Sequence, residues 1–252
     1  MSIIEYFDID INSREMISVI GGGGKTTTIF KLASELKGLS RRVLITTTTA
    51  IYNPSSDLYD NLIILESGQN IDHNLEKGNI TVLGRSISPE NKLLGVDSSF
   101  IDTIYRQGFF DFILVEADGS KERPIKAPAA HEPVIPDLTS KTIGVIGIDS
   151  LGKLIDEANV HRPEIFSKVT ASSIGDIITE EVISKLIVSK DGLFKGAPST
   201  NKKYLLLNKA DNELQMQKAR KIENIISNKG FSIDGLVAGS MANKRLNDIK
   251  RC

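Results

Sequence analysis

Cysteine occurs once in the 252 residues, as Cys252, and tryptophan does not occur at all. A single thiol excludes an intramolecular disulfide and any zinc site built from several cysteines, and it suits a reducing compartment. Charge of one sign is also lacking, because 31 Lys and Arg stand against 32 Asp and Glu, for a formal net charge of −1. No bulk field therefore advertises a nucleic-acid or anionic-membrane partner, and a local basic patch is compatible with this balance. No apolar run approaches the roughly 18 residues of a membrane span. The opening residues, Met1-Ser2-Ile3-Ile4-Glu5-Tyr6-Phe7-Asp8, carry acids and lack the basic, then apolar, then small-residue order of a signal peptide. These absences predict a cytoplasmic protein. With 40% apolar and 25% charged residues the composition is that of a globular chain, expected to form a single domain over residues 1–252.

What is present is organised around Val19-Ile20-Gly21-Gly22-Gly23-Gly24-Lys25-Thr26-Thr27-Thr28. Met16 to Ile20 read as a short buried strand, and Ile29, Leu32, Ala33 and Leu36 fall at the spacing of one apolar helix stripe. Strand, glycine turn and helix form the context of a phosphate-binding loop. Backbone N–H groups of Gly21, Gly22, Gly23 and Gly24 are expected to point inward, Lys25 to add a mobile positive charge, and Thr26 to hold Mg²⁺. Thr27 extends the same cradle. The general pattern G-x-x-x-x-G-K-[ST] calls for glycine at position 19 and finds Val19, so the loop is short. Read from Gly21, it is similar to the loop of the Mur ligases.

Two further strand ends carry chemistry. Val43-Leu44-Ile45 empties into Thr46-Thr47-Thr48-Thr49, and hydroxyls at such an end, Thr48 among them, are expected near bound phosphates or metal. Phe112-Ile113-Leu114-Val115 ends in Glu116-Ala117-Asp118-Gly119, an acid followed three positions later by glycine, as a nucleotide hydrolase needs opposite its phosphate loop. Either Glu116 or Asp118 is suited to the metal, and Glu116 is favoured because it terminates the strand. The segment from Ser120 to Pro136 holds Pro124, Pro128, Pro133 and Pro136, half of the chain's eight prolines, and so is neither helix nor central strand. Its Arg123, Lys126 and His131 are placed to face phosphates or a substrate anion. Arg123 is the candidate for stabilising transition-state charge.

Gly-Gly-Gly-Gly-Lys-Thr-Thr-Thr, the four threonines, and Val-Glu-Ala-Asp-Gly-Ser running into Arg-Pro-Ile-Lys-Ala-Pro-Ala-Ala-His-Glu-Pro-Val-Ile-Pro together resemble the YqeC family. The resemblance covers nearly the whole chain. It implies an accessory of selenium-dependent molybdenum hydroxylases, and hence a protein partner, either that hydroxylase or a protein maturing its cofactor.

Thr142 to Ile148 reads as another buried strand, followed by an expected helix from Leu151 to Asn159. His161-Arg162-Pro163-Glu164 opens a further helix, and His161, with no metal-ligand spacing around it, reads as structural. Tyr204-Leu205-Leu206-Leu207 is followed by Asn208-Lys209-Ala210-Asp211, the N-K-x-D tetrad of guanine-specific GTPases. Asp211 can accept from the ring N–H and the exocyclic amine of guanine, which adenine cannot supply. Ile233 to Ala238 is a last strand, and Asn243 to Arg251 a basic, helical tail. The alternation of strands and helices predicts an α/β phosphate-loop (P-loop) NTPase with a mainly parallel sheet flanked by helices. The functional expectation is a Mg²⁺-dependent GTP-binding protein and slow GTPase. The alternatives are an ATP-dependent ligase or kinase, which the Mur-like loop favours, and a non-catalytic nucleotide-gated switch.

Overall fold

In the computed structural model, which describes residues 1–68, 71 and 76–251, the apolar runs become strands and the striped segments helices. Cys252 lies outside the described residues. A short helix α1 (Ile3–Tyr6), capped by Ser2, precedes β1 (Glu15–Gly21), and the glycine turn leads into α2 (Lys25–Gly38). Then come β2 (Val43–Thr47), β3 (Ala50–Tyr52), β4 (Asn61–Ile64), β5 (Ile80–Gly84), β6 (Lys92–Leu94), α3 (Ser98–Gln107) and β7 (Phe112–Glu116). The second half holds β8 (Ile125–Lys126), β9 (Lys141–Gly147), β10 (Val160–His161), α4 (Pro163–Thr170) and α5 (Glu180–Val188). It closes with β11 (Lys202–Asn208), α6 (Glu213–Asn228), β12 (Gly235–Ser240) and β13 (Arg245–Arg251).

The main sheet has nine strands in the order β13-β12-β11-β9-β1-β7-β2-β5-β4, parallel throughout except for β12 against β13. Every residue of β1 is buried, as a central parallel strand covered on both faces requires. Met16 and Ile20 pack on one side with Ile101, Phe166, Ile183 and Ile222, from α3 to α6. Ile17 and Val19 pack on the other with Phe7 and with Ile29, Leu32 and Leu36 of α2. This is the expected α/β architecture, and it puts the carboxyl ends of β1, β2, β7, β9 and β11 along one edge. The chain leaves β1 toward β2 on one side and later toward β9 on the other, so the crevice for a ligand lies at the end of β1. Among the described residues no helix is long and apolar enough to cross a membrane.

Two expected helices are absent. After β9 a single 3-10 turn, Ile148–Ser150, gives way to turns through Asn159. The backbone there bonds to distant partners: Gly152 N–H donates to Ile178 O, Ile155 N–H to Asp176 O, and Lys153 O accepts from Ile178 N–H. Those bonds replace the i to i−4 ladder. The tail from Arg245 is β13, antiparallel to β12. An uncovered β12 would present a row of unpaired backbone groups, and a charged strand is a common way to close such an edge.

Candidate functional site at the end of the first strand

The glycine loop spends most of its N–H groups on the protein itself. Gly21 N–H donates to both Asp118 oxygens (3.1 and 3.0 Å), Gly22 N–H to Val145 O (2.9 Å) and Gly23 N–H to Arg123 O (3.1 Å). The expectation that these three face a phosphate is thereby corrected. The loop lies between β7, β9 and the proline-rich segment, and those elements take the donors. What is left for an anion is the start of α2, whose cap Gly24 offers no side chain. The N–H groups of Lys25, Thr26 and Thr27 occupy the first three helical positions, which have no intrahelical acceptor. Glycine is required at 23 and 24 for space as well as for φ values of 80° and 131°. A Cβ at 23 would run into the backbone N of Gly147, and one at 24 into the Asn208 amide.

The reactive side chains converge here. Thr26 Oγ1 donates to Glu116 Oε2 at 2.7 Å. Lys25 Nζ donates to Gly21 O at 2.9 Å and lies 3.4 Å from both Glu116 and Asp118. Burial opposes the lysine's charge, but Asp118 and Glu116 outweigh it and hold its pKa above the ordinary value. Asp118 also meets Lys126 at 3.1 Å, Lys126 meets Glu132 at 2.6 Å, and Glu132 takes a two-pronged contact from Arg162 at 2.6 and 2.9 Å. A continuous chain of charges thus runs from the glycine loop into the proline-rich segment. Lys126 is one of its links and is buried, not facing a ligand as the sequence suggests. Sequence reasoning missed Glu132 and Arg162. The available signal was an acid standing among the prolines and basic residues between Lys126 and Pro136.

The threonine run behaves differently from its expectation. Thr46 donates to Leu83 O, Thr47 to Glu116 O and Thr48 to Val134 O at 2.8 Å. Thr48 therefore braces the proline-rich segment, and Thr49 faces the cavity instead. Arg123 Nε donates to Glu157 O at 2.7 Å, with the residue in the cavity wall, whereas His131 is exposed and outside it.

The tetrad after β11 divides its roles. Asn208 is buried, its Nδ2 donating to Gly23 O (2.8 Å) and its Oδ1 accepting from Met241 N–H (2.9 Å). That corrects its expected contact with nucleotide: both ends of the amide are used to tie the loop to β12. Lys209 Nζ pairs with Asp149 at 3.0 Å and lines the cavity. Asp211 is exposed, its carboxylate 3.5 Å from Asn243 Nδ2, and does not line the cavity.

That cavity, about 1150 Å³, begins at Gly23 to Thr27 and extends past Thr49 and Tyr52 to a wall formed by Lys121, Arg123, His161 and Arg162. Four of its residues, Lys121, Glu122, Arg162 and Lys209, hold left-handed backbone conformations that side chains other than glycine seldom adopt. Burial together with the charges of Arg162 and Lys126 pushes the His161 pKa down to about 4, so its ring is neutral near pH 7. Among the described residues no cluster of three His, Cys, Asp or Glu is placed to hold a metal unaided.

The profile of a family described as YqeC protein matches residues 17–164, from β1 to the start of α4, and ends before the Asn208–Asp211 tetrad. A relative from Escherichia coli (strain K12), described as "Uncharacterized protein YqeC", is 32% identical over 205 residues, or 80% of this chain and 79% of the relative. Among solved structures, FtsY from Mycoplasma mycoides aligns with 93% of this chain at 12% identity and a TM-score of 0.36. The chain spans about half of that protein's length, 55%.

Proposed function

The chain belongs to the YqeC family, and from that premise we propose a Mg²⁺-dependent nucleotide-binding protein that binds GTP and hydrolyses it slowly. The same premise supports an accessory role toward a selenium-dependent molybdenum hydroxylase, or toward the protein that matures its cofactor.

The observation that carries the nucleotide reading is the meeting of Lys25, Thr26 and Glu116 at the uncapped start of α2. Anions favour such a helix end. On this reading Lys25 turns from Gly21 O to the β- and γ-phosphates, and Asp118 keeps the loop in shape through Gly21 N–H. The Thr26 hydroxyl and the Glu116 carboxylate, 2.7 Å apart, are the hard oxygen donors that Mg²⁺ takes, with phosphate and water completing its shell. When bound, the ion would neutralise charge on the phosphate oxygens. Arg123, in the cavity wall and joined through its carbonyl to the loop, is the group proposed to meet charge developing on the terminal phosphate.

Guanine over adenine rests on Asp211, an exposed carboxylate just beyond the strand end that Asn208 ties to the loop. Competition between GTP and ATP for the purified protein tests it. GTP should win, Lys25→Ala should abolish binding of both, and Asp211→Asn should remove the preference. Equal or better ATP binding would sink the guanine assignment. It would favour the second reading, an ATP-dependent ligase or kinase, which the shortened loop supports, since Val19 is a buried β1 residue where a longer loop would have glycine. Single-turnover hydrolysis distinguishes a slow hydrolase from a nucleotide-gated switch.

A further inference from the structure

The cavity is larger than one ligand site usually is. Its volume of about 1150 Å³ exceeds the roughly 300–1,000 Å³ of ordinary small-molecule pockets. One end is the phosphate loop. The other is a wall carried by the short β8–β10 ribbon, which pairs Ile125 with Val160 and Lys126 with His161.

That wall is fixed to the phosphate loop by charge. Lys25, Asp118, Lys126, Glu132 and Arg162 form an unbroken series of contacts between 2.6 and 3.4 Å, and all but Arg162 are buried. Buried ion pairs return little net stability once their desolvation is counted. Stability therefore does not explain five charges in series, but a fixed relation between the loop and the Arg162 guanidinium does. Glu132 takes one donor from each terminal nitrogen of Arg162, and a guanidinium has five. The remaining donors stay with a residue that lines the cavity. Beside it stand Arg123, whose Nε is held by Glu157 O, exposed Lys121, and the neutral ring of His161. Burial is the largest cause of the depressed His161 pKa, and Arg162, Lys126 and Lys121 push it further down while Glu132 opposes them. Of the acids that line the cavity, Glu122, Glu157 and Glu164 are exposed, whereas Glu132 is buried and paired with Lys126 and Arg162, and Glu116 is buried beside Lys25 and Thr26.

We infer that this wall is a second ligand subsite, which seats a small anion, a phosphate or a carboxylate, in the same cavity as the nucleotide's phosphates. Arg162 is its principal donor, with Lys121 and His161 beside it. The inference rests on the nucleotide reading and extends it, because a nucleotide-dependent protein with such a subsite acts on a second, anionic small molecule.

The experiment uses the full chain saturated with Mg²⁺ and a non-hydrolysable triphosphate, so that the loop itself is filled. Saturation is checked first by a separate nucleotide titration. Inorganic phosphate, and acetate in a parallel arm, are then titrated while the ring protons of His161 are followed by NMR, assigned by their loss in His161→Gln. The expected result is a saturable shift in at least one arm, with the His161 pKa moving up from about 4. Arg162→Gln should weaken that binding by roughly tenfold, as loss of a charge-assisted contact does. Lys121→Gln, an exposed site that leaves the fold intact, should weaken it less but measurably. No saturable shift in either arm overturns the subsite. So does equal affinity in wild type and both variants, which would mean an adventitious ion only. If no nucleotide binds, it is the nucleotide reading that fails. The subsite is then read in the wild-type chain without nucleotide, where a saturable, Arg162-dependent shift supports it and its absence overturns it.

Discussion

Replacing Glu132 by glutamine tests the charge chain at its most exacting link. The side chain is 8% exposed and accepts from both Arg162 terminal nitrogens and from Lys126 Nζ. Glutamine keeps the shape but removes the negative charge, leaving Lys126 and Arg162 beside each other with one carboxylate fewer. Burial alone would raise the Glu132 pKa, but Arg162 and Lys126 outweigh it and hold it at about 2 instead of 4.5. At 1.36 kcal/mol per pKa unit, that difference favours the charged over the protonated Glu132 in the folded chain by about 3 kcal/mol at pH 7. Removing one partner of a buried pair costs a similar amount, about 3–5 kcal/mol. The sign follows from a folded value below the unfolded one. The stabilisation is complete above about pH 4.5 and is lost as pH falls toward about 2. Urea denaturation of wild type and Glu132→Gln should therefore differ by about 3 kcal/mol at pH 7 and by roughly half that at pH 3. A difference below about 0.5 kcal/mol at pH 7, or one that does not change with pH, would refute the reasoning.

Three other outcomes are expected. The His161 pKa is lowered from 6.5 to about 4, so the neutral ring's stabilisation is complete above about 6.5 and lost as pH falls through about 4. Allowing for partial exposure, thermal denaturation should show wild type losing about 1–2 kcal/mol across that window, a loss that His161→Gln should largely lack. Asn208→Ala removes two buried hydrogen bonds, to Gly23 O and from Met241 N–H; it should cost about 2–3 kcal/mol in urea and weaken nucleotide binding through the loop rather than through the base. Gly23→Ala places a Cβ against the Gly147 backbone at a φ of 80°; calorimetry should show more than about 1 kcal/mol of destabilisation, with nucleotide binding lost in protein that remains folded.

The strand, glycine turn and helix from Met16 to Leu36 were legible in the sequence, because the apolar period, the run of glycines and the lysine are all local. The acid ending β7 was legible for the same reason: a short buried strand must stop where charge begins, and Glu116 does sit beside Lys25 and Thr26. Leu151 to Asn159 and the tail from Asn243 have helix-compatible composition, yet neither is a helix. Backbone partners at Ile178 and Asp176 claim the first, and the open edge of β12 claims the second. The hydroxyl of Thr48, the amide of Asn208 and the N–H groups of Gly21 to Gly23 were similarly misjudged. Each was expected at the nucleotide or its metal, and each has a protein partner that only long-range packing supplies.

The sequence by itself determined that a glycine-rich loop opens a helix after a buried strand and that an acid ends another strand, because steric and solvation preferences act over a few residues. Only the tertiary structure decided that β7 lies between β1 and β2, which sets Glu116 and Asp118 against Lys25. It alone joined Asp118, Lys126, Glu132 and Arg162 into one chain of charge, since opposite charges far apart in sequence attract usefully only once folding has brought them within a few ångströms and removed the water between them.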